Sequence, residues 1–276
     1  MSTTTRTPTT DRTARPTAPR LRRLAALTRA EAVLLLRNRT ALLYALALPV
    51  AMVLLFTTMG AVGGDGGRLT AVGVLNTLLV VALVFVVYYN VTTAYVARRE
   101  DRVLQRLLTG SSTRLDVLLA PAVPPAVIIL VQLVLGYVAV TLLVENPGMV
   151  NPVLVILAGL GGAAVLSALA AATAGMSRTV ESVQFTTLPV IVLVLPFAGI
   201  FPMPPDGTIG TVARFTPLAP VTELMRLGLA GQDVDGATLG VAETFAAAAQ
   251  PVGVLVVWTC LAGLAAKRWM RWAPRR

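Results

Sequence analysis

The chain has no histidine, a single cysteine (Cys260) and a single lysine (Lys267), and only 13% of its 276 residues are charged. Each scarcity excludes something. Without histidine no imidazole can activate a serine nucleophile, and neither paired aspartates nor a set of zinc ligands stands in the apolar runs, which argues against an intramembrane hydrolase. One cysteine cannot close an internal disulfide, and Cys260, inside an apolar run, reads as a small buried hydrophobe. A phosphate-cradling P-loop needs GxxxxGK followed by Ser or Thr; the lone lysine stands in GLAAKRW, so the chain does not bind and split ATP in that way. Charge at about half the usual soluble share points to a bilayer as solvent.

What is present in quantity is apolar sequence. A spanning helix needs about 20 predominantly apolar residues to cross a hydrocarbon core of about 30 Å. Six stretches qualify, at about 41–62, 69–97, 117–144, 152–175, 183–201 and 250–266. None contains Asp, Glu, Lys or Arg, as expected where a charge at the bilayer centre costs about 2.5 kcal/mol or more. The runs are too long and too uniform for barrel strands, so the expected fold is all-α: a polytopic bundle of six membrane helices occupying 40–272. The absence of a buried carboxylate or histidine also removes the usual carrier for proton-coupled transport.

Basic residues fall on one side. With the N-terminus cytoplasmic, twenty of the 23 lie in inner segments, leaving only Arg68, Arg214 and Arg226 outside. This places both termini in the cytoplasm. The formal charge of +10 is explained by retention of loops against anionic membrane lipids, and nucleic acid is not expected as a partner, because no basic stripe carries interleaved aromatics. Residues 1–19 read as a disordered tail without an apolar stretch able to serve as a signal peptide, so the first span is expected to act as the insertion signal. The arginine bias over lysine is in keeping with a bacterial source, hence a bacterial cytoplasmic (inner) membrane. Over 20–39 one helical side gathers Leu21, Leu24, Ala25, Thr28, Ala32 and Leu35 and the other most arginines, the pattern of a helix lying on the inner surface. A plain extension of the first span would also be basic and apolar.

The most charged interior passage is RREDRVLQRLLTGSSTRLD, residues 98–116. At 100° per residue Val103, Leu104, Leu107 and Leu108 cluster, with Arg98, Arg99, Arg102 and Arg106 nearly opposite. Glu100 and Asp101 suit the positive end of a helix dipole, Gly110 suits its left-handed stop, and Thr113 with Asp116 resembles a capping box opening the third span. The expectation is a short amphipathic cytoplasmic helix, although a solvated basic loop has the same composition.

Three segments together, LLRNRTALLYALALPV (35–50), REDRVLQRLLTGSSTRLDVLLA (99–120) and FTPLAPVTELMRLGLAG (215–231), resemble the recurrent landmarks of type-2 ABC exporter permeases of the daunorubicin-exporter kind. The resemblance covers most of the chain from about residue 20. It implies that the first segment is an interfacial helix entering a proline-containing span, with Pro49. It implies that the second is a coupling helix, here Arg98, Arg99, Glu100, Asp101, Arg102, Leu104, Arg106 and Leu107, docking on a separate ATPase subunit that holds ATP and Mg. The third would form short re-entrant helices in the last outer loop, whose GQDVDG (231–236) departs from the pattern. A second permease copy, in a homodimer, would complete the translocation route. This chain itself would hold no cofactor and catalyse nothing.

For the substrate pathway the polar residues of spans two and five stand out: Tyr88, Tyr89, Asn90, Thr92 and Tyr95, with Gln184 and Thr187. Tyr88, Thr92 and Tyr95 share a helical face, and both clusters fall near the cytoplasmic side, as an entry collar for an amphiphile would. The alternative is that the tyrosines form an interfacial belt and the other polar groups join helices. Apolar spans with aromatics at 5% fit a drug, antibiotic or lipid-like cargo better than a glycan, which would want more stacking rings. The runner-up reading is a six-span substrate-binding or channel subunit without ATPase coupling.

Overall fold

The computed structural model describes residues 67–103, 113–198, 207–234 and 236–270, with 50–55 and isolated positions before residue 59. Most of the inner-surface helix expected over 20–39 and most of the first span expected over 41–62 lie outside the described residues, though Val53 is fully buried against the rest. The described residues contain helices and no strand. In chain order they are α1 (Arg68–Glu100), α2 (Arg114–Leu119), α3 (Val123–Leu143), α4 (Pro152–Met176), α5 (Val183–Val194), α6 (Gly207–Arg214), α7 (Ala219–Ala230), α8 (Val241–Ala247) and α9 (Ala249–Trp269).

Four helical stretches among them are long and apolar enough to cross a membrane: Arg68–Glu100, Leu115–Leu143, Pro152–Met176 and Val241–Trp269. They match four of the runs read from the sequence to within a few residues, except that α8 brings the last one forward from residue 250 to Val241. The fifth run differs. Pro189 lies inside α5 and Pro196 turns its end into a 3-10 turn over Leu195–Phe197, so the apolar helix Val183–Phe197 is about 22 Å long at 1.5 Å per residue, short of the ~30 Å core.

Local chemistry sets the boundaries. The capping box expected from Thr113 and Asp116 forms: Asp116 N donates to Thr113 Oγ1 (3.3 Å) and Thr113 N donates to Asp116 Oδ2 (3.0 Å). Pro152 opens α4 at the position where a missing N–H costs nothing. Gly231, at φ 65, closes α7 in the left-handed conformation. The GQDVDG stretch then turns back on itself, with Ala237 N donating to the Asp233 carboxylate (2.9 Å) and Gln232 bridging to Thr238.

At the hub is α4, against which α1, α3, α7 and α9 all pack. Lipid tails are as apolar as leucine, so helices associate by close packing and polar contacts more than by expulsion of water. Small residues let α4 do this. A Cβ at Gly162 would stand 2.6 Å from Leu83 Cδ1, and one at Gly175 would stand 2.3 Å from the Trp269 carbonyl oxygen, a backbone atom with no room to yield.

Midway along α1, Leu83–Tyr89 is a π-helical segment. From Ala71 to Tyr88 the helix is buried except at Gly73, Thr77, Val81 and Phe85, four apart, which form a partly or fully exposed stripe. On a regular α-helix a stripe of period four drifts about 40° per step. The wider π turns offset part of that drift.

Candidate functional site

Two bands of polar residues mark the ends of α1, and an uncovered face lies between them. At the end carrying Arg99 the helix stops through backbone bonds from Asp101 N to Ala97 O (3.0 Å) and Arg102 N to Arg99 O (3.1 Å), and Arg102 adopts a left-handed φ of 58. Arg98, Arg99 and Glu100 are therefore the last turn of α1, where the sequence pattern expected the start of a separate helix. The i, i+4 bonding of a long apolar helix simply carries on through them until Arg102 breaks it. Glu100, Asp101 and Arg102 are exposed; Leu104, Arg106 and Leu107 lie outside the described residues.

Arg99 is 1% exposed. Its Nη1 donates to Ala174 O (2.8 Å) and its Nη2 to Ser177 O (2.6 Å) and Arg178 O (3.2 Å). These are the last carbonyls of α4 and the turn after it, groups with no partner inside the helix and a partial negative charge from the helix dipole. A planar guanidinium fork suits them. The bonding continues: Ser177 Oγ pairs with Thr186 Oγ1 (2.6 Å) in the first turn of α5, and Ser182 Oγ accepts from the N–H groups of Arg178 and Thr179. One buried arginine thus joins the ends of α1, α4 and α5. The sequence held no signal separating Arg99 from Arg98, since adjacent arginines differ only in which face of α1 they occupy.

The residues proposed for a collar divide into two groups. Tyr88, Thr92 and Tyr95 share a face, as their spacing requires, and that face is buried. The Tyr88 hydroxyl pairs with Thr173 Oγ1 of α4 (2.9 Å), Thr92 Oγ1 donates to Tyr88 O (2.7 Å), and the Tyr95 hydroxyl donates to Leu118 O of α2. Thr187 is likewise buried and donates to Val183 O (2.8 Å). Asn90 and Gln184, by contrast, are exposed, and Tyr89 is half-buried. They lie on two helices, α1 and α5, that pack together. Around Asn90 are the exposed Phe85 and half-buried Thr93, and on α5 the face of Gln184, Phe185, Leu188, Val192 and Leu193 is uncovered, Phe185 being 66% exposed. Periodicity could group these residues into faces; what each face meets depends on the packing of other helices.

At the opposite end Arg68 repeats the chemistry of Arg99 more loosely. It is exposed, with Nε donating to Pro147 O (3.0 Å) and Nη2 to Leu229 O at the end of α7 (2.8 Å). Asn151 N donates to Gly228 O (2.8 Å) and its side chain to Thr244 Oγ1 (3.0 Å), tying α4, α7 and α8. Ala198 O, just past the 3-10 turn that ends α5, accepts from Asn76 Nδ2 of α1 (3.2 Å) and Thr222 Oγ1 of α7 (2.9 Å). Trp258 Nε1 of α9 donates to Phe215 O (2.7 Å). The short helix α7 is thereby seated among α1, α4 and α9, with Leu224, Met225 and Leu227 fully buried. On its half-exposed side burial pushes the Glu223 carboxyl above its ordinary range, opposed by the charges of Arg226 and Arg214 and reinforced by Asp233.

Comparison with known proteins bears on residues 65–266, which match the family model described as ABC-2 family transporter protein. No curated protein matches the chain.

Proposed function

The chain belongs to the ABC-2 transporter family, whose members are membrane components of ABC transporter systems working with an ATPase partner and not themselves catalytic, and from that premise we propose that it is the permease subunit of an exporter. Two copies, each with six membrane helices, would stand in a bacterial inner membrane with both termini in the cytoplasm and the Arg99 end of α1 facing inward. The ATPase subunit, holding ATP and Mg, would dock on the charged segment that begins at Arg102. The cargo would be a hydrophobic or amphiphilic compound: a drug, an antibiotic or a lipid-like molecule.

One observation carries this reading: amide side chains that are exposed among the described residues. Asn90 lies ten residues from the inner end of a 33-residue helix, so its amide stands within the bilayer. Leaving an amide without hydrogen bonds in hydrocarbon costs about 4 kcal/mol or more. A second subunit and a passing solute relieve that cost; acyl chains do not. Phe85 and Tyr89 on α1 and Phe185 on α5 offer apolar and stacking surface, so these exposed faces suit a molecule with both apolar bulk and hydrogen-bonding groups. Tyr88, Thr92, Tyr95 and Thr187 would support that face from behind.

Arg99 gives the motion a route. The segment gripped by the ATPase would start three residues beyond a guanidinium that binds α1 to the end of α4 and, through Ser177 and Thr186, to α5, so displacement of the segment would move those ends as one body. Purification with an ATPase subunit and reconstitution into vesicles tests the proposal. ATP-dependent efflux of a hydrophobic dye is expected from the wild type, with Asn90→Leu and Gln184→Leu lowering the rate at unchanged protein abundance. Passive conduction without any ATPase, or efflux untouched by both substitutions, would favour a channel or binding subunit instead.

A further inference from the structure

A second concavity lies away from the α1–α5 face. It is a cavity of about 410 Å³, open on one side, bounded by Leu115, Leu119 and Val123 of α2 and the start of α3, by Leu160, Ala164 and Ser167 of α4, and by Thr259, Gly263 and Ala266 of α9. Its size falls within the ~300–1,000 Å³ of small-molecule sites, yet its lining is almost wholly apolar. Of its three side-chain hydroxyls, the Tyr95 hydroxyl donates to Leu118 O and Thr259 Oγ1 donates to Leu255 O (2.7 Å), and Ser167 is the third. Small residues create the space, and a Cβ at Gly263 would meet no atom within 4 Å.

Depth and charge identify an occupant. From Leu160 to Ala171 on α4 the lining runs about 16 Å at 1.5 Å per residue, half of a ~30 Å hydrocarbon core and so one leaflet deep. It ends at the Arg99 end of the bundle. There Thr259, Gly263 and Lys267 stand four apart on one face of α9, so the line of residues walling the cavity emerges at an exposed lysine, beside the exposed Arg268. A one-leaflet apolar slot whose wall on α9 is followed directly by an exposed lysine and arginine matches an acyl chain joined to an anionic headgroup.

We propose that this slot holds one acyl chain of an anionic phospholipid from the inner leaflet, its phosphate bound by Lys267 and Arg268. A second copy of the chain fits less well, since a two-fold contact here would set those cations against their own copies. The assignment rests on the inward orientation of the Arg99 end stated above, and on no other part of the proposed function.

Native mass spectrometry of protein released from nanodiscs of mixed phosphatidylglycerol and phosphatidylcholine tests it. The wild type is expected to retain phosphatidylglycerol in preference to phosphatidylcholine. Lys267→Gln with Arg268→Gln should reduce that preference by about tenfold or more, and Gly263→Leu, which grows into open space, should lower retention of both lipids. Equal retention of the two lipids by the wild type, retention unchanged in all variants, or photocross-linking of a second copy through position 164 would each overturn the assignment. Labelling of Lys267 by an impermeant amine reagent from outside intact cells would instead show that the orientation is wrong, and dependence of efflux on an ATPase does not enter the readout.

Discussion

The two ends of α1 use the same device to different degrees. Each carries an arginine whose guanidinium satisfies the backbone carbonyls of neighbouring elements, but Arg99 is almost fully buried on three carbonyls while Arg68 is exposed and bonds two. Burial makes the difference consequential. Removing a buried charge-assisted donor leaves several orphan carbonyls with no water to take its place, whereas an exposed one is replaced in part by solvent. The Arg99 end is therefore a rigid junction of three helices, and the Arg68 end a softer seat for the short helix α7.

Breaking the tighter junction has the largest expected effect. Arg99→Ala should destabilise the purified protein by about 3 kcal/mol or more, read as a fall in melting temperature, and uncouple ATP hydrolysis from efflux. Arg99→Lys should restore part of the stability, since an ammonium reaches fewer of the carbonyls. Gly175→Ala comes next. Its Cβ would press on the Trp269 carbonyl at the same end, so α4 and α9 must separate, for a loss of about 1–3 kcal/mol. Arg68→Ala, at the softer end, should cost about 1–2 kcal/mol. An Arg68→Ala loss equal to that of Arg99→Ala would erase the contrast.

The smallest effect sharpens the comparison through pH. The raised Glu223 carboxyl takes up a proton on folding, so its penalty is absent below the ordinary glutamate value of about 4.3 and grows as pH rises through the raised value. Glu223→Gln should then raise the melting temperature slightly at pH 7 and leave it unchanged at pH 4. A gain of equal size at both pH values would show that burial of the charge is not the cause.

The sequence was most informative where chemistry is local. Lipid's rejection of charge delimits the apolar runs, so α1, α3 and α4 stand close to where composition placed them. Thr113 and Asp116 announce their box because capping involves residues three apart. Elsewhere the decisive information is not local. Pro189 and Pro196 were visible inside an apolar run, but hydropathy alone does not register the shortening of α5 they cause. A helical wheel placed Tyr88, Thr92 and Tyr95 together without revealing that α2 and α4 cover them, and it left the uncovered stripe through Phe85 unseen because a π segment alters the angular step on which the wheel depends. The buried role of Arg99 depends on the end of a helix seventy-five residues later in the chain.

The central claim is that the α1–α5 face meets a solute pathway and not lipid, and thiol accessibility tests it most directly. With Cys260→Ser as background, Asn90→Cys and Val134→Cys can be compared in reconstituted vesicles using a water-soluble thiol reagent; Val134 is the reference, 64% exposed on the apolar outer surface of α3. Thiolates form only where water reaches, so the account predicts modification at position 90, with loss of efflux, and none at 134. Position 90 as inert as position 134 would contradict it.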